Sequence, residues 1–411
     1  MALNRDSKTM GTFMLKFVVL AVGVQDVSSG AAAAAIAPMI AEFPSVSPTN
    51  IQLMVTLPNL MVVFMAPIFA ALSTKIDIRK LVIFALICFL AGGASPVFFD
   101  TFPPIMIGRI ILGIGSGITI PAAISLIPMF WDGHEKDTMM GWHMTMGCIG
   151  GIAMQTLGGY LTLVDWHYCF LAYLFPVWVL ILIILKLPST PKEYMNAKNA
   201  QNEEIKKAPF LKRLNLKSWA LVIIYFVVTV FICTMPMNIS IILEGEQIGN
   251  AANAGIALSL FTAGALVGGL VFGFVKGLAG GYAMALALII NGLGYAILAF
   301  GAFSIPVVYF CTLLSGFGMG MLIPSYYTRV SEIAPKIFAT VSISFVVAAQ
   351  GLGNFISPQI LAGVNAMFRQ DVGRFPIIAG AVVLIAAGVI VAVTFALSGG
   401  NNKRNKELNI A

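Results

Sequence analysis

GRIILGIGSGITIPAA, residues 108–123, places Gly113, Gly115, Gly117 and Pro121 in an otherwise apolar run with a single cation, Arg109. Small residues of this kind let helices approach closely inside a membrane, and a proline bends the rod that carries it. The spacing returns 203 positions later in CTLLSGFGMGMLIPSY, residues 311–326, as Gly316, Gly318, Gly320 and Pro324. The same offset carries Gly150 onto Gly353, within GCIGGIAMQTLGGYL (147–161) and QGLGNFISPQILAG (350–363). One glycine-rich helix is a weak sign. Two helices that repeat at one offset imply a duplication, and parallel repeats are a transporter architecture.

Composition agrees with a membrane setting. Hydrophobic residues make up 59% of the 411 and charged residues 10%, against about a quarter charged in soluble domains. Apolar runs near the length of about 20 residues that crosses a bilayer core recur at 15–41, 51–74, 81–99, 104–128, 139–162, 167–187, 218–242, 254–275, 281–303, 305–328, 338–363 and 375–397. The expectation is an all-α membrane protein: twelve transmembrane helices in two pseudo-symmetric six-helix bundles around a central cavity. Residues 1–187 form the first bundle, 188–216 a cytoplasmic linker, and 217–411 the second bundle with a short cytoplasmic tail. Within the linker, KKAPFLKRLNL could lie on the inner surface as an amphipathic helix; a solvated tether is the simpler reading.

Charge tests that count. With both termini inside, 21 of the 24 Lys and Arg fall on cytoplasmic segments or the helix ends beside them; Arg369, Arg374 and Arg109 are the exceptions. That is the positive-inside pattern. It accounts for the net charge of +7 without nucleic acid as a partner, and it implies a multi-pass protein of the cell (inner) membrane. The N-terminus reads as running directly into the first span, with no signal-peptide cleavage site. The five cysteines, Cys88, Cys148, Cys169, Cys233 and Cys311, sit in or beside apolar spans without ligand spacing, so no disulfide, metal or cofactor is expected.

With these residues in view the chain resembles the major facilitator superfamily over all twelve spans. GRIILGIGSG fits that family's arginine followed by spaced glycines. The run Gly147–Gly159 is similar to the glycine-rich signature of its proton-driven exporters, with Gly151-Ile152 in place of the usual Gly-Pro. AIAPMIAEF in the first span is similar to a segment of the twelve-span drug:proton antiporters. AALSTKIDIRK is a degenerate copy of the family's basic loop: Lys75, Arg79 and Lys80 keep its charges, while Thr74 and Asp77 replace the usual aspartate and glycine. The resemblance implies two bundles that rock about a midplane cavity, with Arg109 linked to proton coupling, and a monomer.

The first span, LAVGVQDVSSGAAAAAIAPMIAEF (20–43), holds Asp26 near its middle, where a charge costs about 2.5–3.5 kcal/mol. Its helical face carries Gly23, Ser29, Gly30, Ala33 and Ala37, which fits a wet cavity wall or a tight helix contact. Asp26 is the candidate proton site, against a permanently paired or protonated structural residue, and Arg109 its modulator, against a hydrogen-bond hub binding carbonyls of the first span. Gln25, Gln52, Asn59, Tyr225, Asn238, Tyr326, Tyr327, Gln350 and Asn354 are cavity candidates, or else glue between helices. Gly113, Gly115, Gly117, Pro121, Gly150, Gly151, Gly316, Gly318, Gly320 and Pro324 are assigned to packing and bending. Trp142 and His143 lie near the inner end of the fifth span; a histidine titrates near neutrality, but the interfacial reading is the simpler one. Glu244 and Glu246 read as solvated at the outer surface, against a cation-gathering role at the cavity mouth.

The function expected is proton-coupled efflux of small apolar or cationic compounds by alternating access. Alternatives are a proton symporter importing a small metabolite, or a monocarboxylate carrier using Arg109 as the anion partner. A membrane-embedded enzyme needs a cluster of His, Asp, Glu or Cys on facing helices, and only three histidines exist. A channel needs rings of pore charge; a sensor needs an appended soluble domain. Neither is visible.

Overall fold

A computed structural model describes residues 12–73, 75–131, 133–189, 216–301, 304–333, 339–368 and 374–408. Linker residues 190–215 therefore lie outside the described residues, and with them nearly all of KKAPFLKRLNL.

The described residues form twelve helical rods without strands. Rod α1 is broken: α-helix over Thr12–Ala21, 3-10 turns over Val22–Gln25 and Ser28–Ala35, then α-helix over Ile36–Glu42. The others are α2 (Pro48–Leu72), α3 (Ile78–Ala94, with a 3-10 turn Ser95–Phe98), α4 (Phe102–Phe130) and α5 (Gly133–Thr162). Rod α6 joins Trp166–Leu174 to Val177–Lys186, and α7 joins Leu216–Ile232 to Thr234–Gly245. Then come α8 (Ala251–Ala279), α9 (Ala283–Gly301), α10 (Ile305–Ile333), α11 (Ala339–Phe368) and α12 (Arg374–Leu408). Ten described stretches are long and apolar enough to cross a membrane; Ala251–Gly301 counts once although it holds both α8 and α9. Rod α5 is not among the ten, because glycines and polar residues lower its hydropathy.

Rods alternate in direction, so Lys75, Arg79, Lys80, Lys186 and Lys276 fall toward one face, here the basic face. The glycine repeat is a packing repeat. Rod α4 wedges between α2 and α3: Gly113 and Gly117 meet Met61 and Met65 of α2, and Gly115 meets Ala85 and Phe89 of α3. Rod α10 wedges in the same way between α8 and α9, with Gly316 and Gly320 on Phe261 and Ala265, and Gly318 on Ala287 and Asn291. At each of these six positions a Cβ would lie under 3 Å from a neighbour.

Two apolar clusters divide the interior. One joins the halves, running from Ala31–Ile36, Met39, Ile51 and Met54 to Ile239, Leu243 and Ala254, and continues through the second half to Val222, Val330 and Val346. The other lies within the first half toward the basic face, built on Val18, Val22, Leu86, Ile118, Ile127 and Ile183. Outward-facing apolar side chains such as Phe64, Ile107, Leu185, Leu270 and Val382 are exposed, as a lipid-facing surface requires.

Candidate functional site

Asp26 sits at the break in α1, between the two 3-10 segments, and Val27 beside it has φ −107° and ψ 25°. A mid-rod stretch of 3-10 helix marks a hinge or a strained sequence. Asp26 Oδ2 lies 3.1 Å from His143 Nε2 on α5, and both side chains are largely buried. Asp26 Oδ1 is buried without a hydrogen-bond partner. Small residues allow this approach: a Cβ on Gly23 would overlap the His143 ring, one on Gly150 the Val24 carbonyl, and Gly147 lies against Gly23 and Asp26. Gly151 packs on Val27 and Gly30 on Gln155, while Ala31–Ala35 are fully buried. The small face of α1 is therefore a tight contact with its neighbours.

His143 is thus buried against the carboxylate. The sequence held a signal for this. Residues 143, 147, 150 and 151 share one helical face, so the histidine belongs to the same stripe as the glycines that admit α1.

Arg109 is fully buried and apart from that pair. Its Nε donates to the Met54 carbonyl (3.0 Å) and its Nη2 to Tyr173 Oη (2.8 Å), with the guanidinium 4.7 Å above the Tyr173 ring. Among the described residues no carboxylate pairs with it. Pro58 explains the carbonyl: lacking an N–H, it cannot bond Met54 four residues back, and Arg109 supplies the missing donor. The carbonyl thus bound belongs to α2 and not to α1, where the hub reading expects it, because Pro58 vacates it in α2.

Other prolines leave carbonyls that are filled likewise. Pro236 cannot serve Ile232, whose carbonyl accepts from Tyr295 Oη of α9. Pro358 cannot serve Asn354, whose carbonyl lies 3.9 Å from Cys233 Sγ. Pro38 cannot serve Ala34, whose carbonyl accepts from Ser240 Oγ of α7 at 2.9 Å. That last bond crosses between the halves.

More bonds join the halves on the same side. Gln52 Nε2 donates to Asn238 Oδ1 (3.3 Å) and to the Met237 carbonyl (3.4 Å), and Thr56 donates to the Phe355 carbonyl (3.4 Å). Between α5 and α8, Thr156 and Ser259 hydroxyls are 2.7 Å apart, Thr262 donates to Gln155 Oε1 (2.9 Å), and Gly159 abuts Gly255. These contacts close the molecule on the face away from the basic loops.

The cavity candidates therefore separate. Gln52 and Asn238 meet each other in this seam. Tyr225 and Tyr326 pack with ring centroids 4.3 Å apart, and Tyr326 Oη is buried without a partner. Gln25 is buried and folds back on the Val22 carbonyl. Asn59, Gln350, Asn354 and Tyr327 keep partial exposure. In the basic loop, Asp77 caps α3 through the Arg79 amide, and the Arg79 guanidinium donates to the Ile184 carbonyl (2.6 Å) of its own half. Glu246 is not simply solvated: it grips Arg374 through two 2.6 Å bonds. One Glu244 oxygen is buried and unpartnered. Among the described residues no group of three His, Cys, Asp or Glu could hold a metal.

Paired six-rod bundles with repeated packing, and a carboxylate in a broken rod, define a multi-pass membrane protein built as a carrier. The chain belongs to the Major Facilitator Superfamily, whose family model matches residues 18–358. Family and fold place it among transporters rather than enzymes. Multidrug resistance protein 3 of Bacillus subtilis (strain 168) is 29% identical over 105 residues, 25% of this chain and 20% of that protein. MFS transporter L2 of Phoma sp. is 27% identical over 137 residues, 31% of this chain and 22% of that protein. The matched stretches thus span about a fifth of each relative. Similar solved structures include a mutant of the nucleoside transporter NupG, with TM-score 0.74, 13% identity and coverage of 94% of this chain and 99% of that one. A D-xylose-proton symporter has TM-score 0.64, 17% identity and coverage of 92% and 97%. At such identities the likeness concerns the fold alone.

Proposed function

We propose that the chain is a secondary active transporter in which the Asp26–His143 pair takes up and releases protons, driving efflux of small apolar or cationic compounds. The observation that carries this is the position of the pair: an ionisable couple in the broken middle of α1, where an intramembrane acid is functional by default. A carboxylate and an imidazole 3.1 Å apart form an ion pair when the imidazole carries a proton. A second proton neutralises the carboxylate and leaves the imidazolium without its partner. The change in net charge alters both the stability of the break and the attraction for a cation. Alternating access follows if this change biases which face is closed. In this reading the basic face is cytoplasmic, both termini lie inside, the protein sits as a monomer in the cell membrane, and the structure is closed outward.

Arg109 acts as a modulator through the fold, by holding α2 and α6 on α4. Its burial beneath Tyr173 and its bond to Met54 speak against direct capture of a monocarboxylate. The curated likeness to a multidrug resistance protein supports export.

Purified protein in liposomes with an imposed proton gradient and a panel of labelled solutes tests the reading. Asp26→Asn is expected to abolish gradient-driven transport. His143→Gln is expected to move its pH profile while retaining gradient-independent exchange. Wild-type rates in Asp26→Asn refute the proton site, and solute that accumulates along the proton flow refutes export.

A further inference from the structure

Gln155, on α5, is 4% exposed and stands where three rods meet. Its Nε2 lies 3.5 Å from the carbonyl of Val27, the residue after Asp26 at the break in α1. Its Oε1 accepts from Thr262 Oγ1 of α8 at 2.9 Å, across the boundary between the halves. The seat is built for it: a Cβ on Gly30 would fall 2.9 Å from the Gln155 amide nitrogen, and one on Gly255 would fall 2.6 Å from the Gln155 backbone carbonyl. The Thr262 hydroxyl divides its single proton between this carboxamide and the Leu258 carbonyl 3.1 Å away.

We propose that Gln155 is the positioning residue that transmits the charge state of Asp26 to the seam between the halves. This rests on the proton-site reading above. Transport requires that one charge in the first half bias contacts with the second, and a coupling needs an element that feels both. The carboxamide bonds the hinge peptide with one end and α8 with the other. With Asp26 paired to His143, the break is held, the Val27 carbonyl faces Gln155, and the amide is oriented to accept from Thr262. Neutralising Asp26 frees the break, turns that carbonyl away and loosens the seam, so the outward-closed form gives way to the outward-open one.

Other ionisable groups around the pair do not duplicate this link. On α5 they are Cys148 and Glu135, and on α1 Lys16, which pairs with Glu135 at 2.6 Å. Rod α4 offers Arg109, held by Met54 and Tyr173. Rod α8 offers Lys276, near its basic-face end. Rod α6 offers Cys169, bonded to the Ala31 carbonyl, Tyr173 on Arg109, and Tyr168, His167 and Lys186 toward its ends.

The test measures the distance between spin labels at Phe98 and Met367, both exposed at rod ends away from the basic loops, in lipid nanodiscs from about pH 5 to about pH 8. Wild type is expected to shift toward the longer distance as pH falls. In Gln155→Leu and Thr262→Val the pH-driven change in population ratio should shrink about five-fold or more, with both distances still present; Thr262→Ser should retain it. Thr262→Val stands in if Gln155→Leu fails to fold. If Asp26→Asn removes the response but Gln155→Leu and Thr262→Val keep the wild-type midpoint and amplitude, the Gln155 inference is wrong. If Asp26→Asn itself keeps the response, the proton-site reading is wrong. A wild type whose distances ignore pH overturns the Gln155 inference, and the liposome assay then judges Asp26 separately.

Discussion

Arg109 is fully buried and bonded to the Met54 carbonyl and Tyr173 Oη. A fixed charge in an apolar span demands partners, so the sequence alone singles it out. Those partners depend on Pro58, on another rod and 51 positions away in sequence. An unsatisfied buried carbonyl costs about 1–3 kcal/mol, and Arg109 removes that cost at Met54. Arg109→Met should therefore lower stability by about 1–3 kcal/mol, measured by thermal unfolding in detergent. Adding Pro58→Ala should restore part of it, since residue 58 then has an N–H for Met54. A double variant no more stable than Arg109→Met would contradict this account. Asp26 differs: its presence is legible on its own, whereas its partner His143 is marked only by sharing a helical face with Gly147, Gly150 and Gly151, a weaker signal than the ordinary interfacial reading of a histidine near a span end.

At the scale of the element, α5 turns Gly147, Gly150, Gly151 and Gly158 toward α1. Gly150 meets the Val24 carbonyl, backbone against backbone, whereas Gly141 has nothing within 4 Å of where a Cβ would sit. Overpacking typically costs about 1–3 kcal/mol, and an open helical glycine gains up to about 1 kcal/mol from alanine. Gly150→Ala should accordingly destabilise and impair transport, while Gly141→Ala should be neutral or stabilising in the same thermal assay. Rod α6 begins at Asp165, whose carboxylate accepts from the His167 amide at 2.8 Å. That bond, with the His167 ring, holds the carboxyl below its ordinary value. A depressed carboxyl contributes fully above its unfolded value and loses the contribution as pH falls through the folded one. The stability gap between wild type and Asp165→Ala, about 0.5–1 kcal/mol for an exposed cap, should thus be present at neutral pH and close below about pH 4.

For the whole molecule, the α5–α8 seam is where a wedge should act. A side chain on Gly255 would collide with the Gln155 carbonyl and the Gly159 backbone, neither of which can yield by a rotamer change. Gly255→Leu should populate the longer Phe98–Met367 distance at neutral pH without protonation of Asp26. A distribution identical to wild type would show that the seam does not govern that face.

The sequence by itself determined the fold class, the duplication and the residues that had to be special. Span length, the distribution of basic residues and glycine spacing are local properties, and a bilayer leaves helices few alternatives. It also marked Asp26, Arg109 and the glycines, since each is costly or unusual in an apolar helix. Only the tertiary structure decided their partners. Whether the small face of α1 was a wet wall or a close contact depended on α5 arriving there with His143. Whether Gln52 and Asn238 lined a cavity or bonded each other depended on which face the halves had closed. Proline positions mark the carbonyls left over, but the side chains that reach them, Arg109, Tyr295, Ser240 and Cys233, come from rods whose neighbours no local pattern specifies.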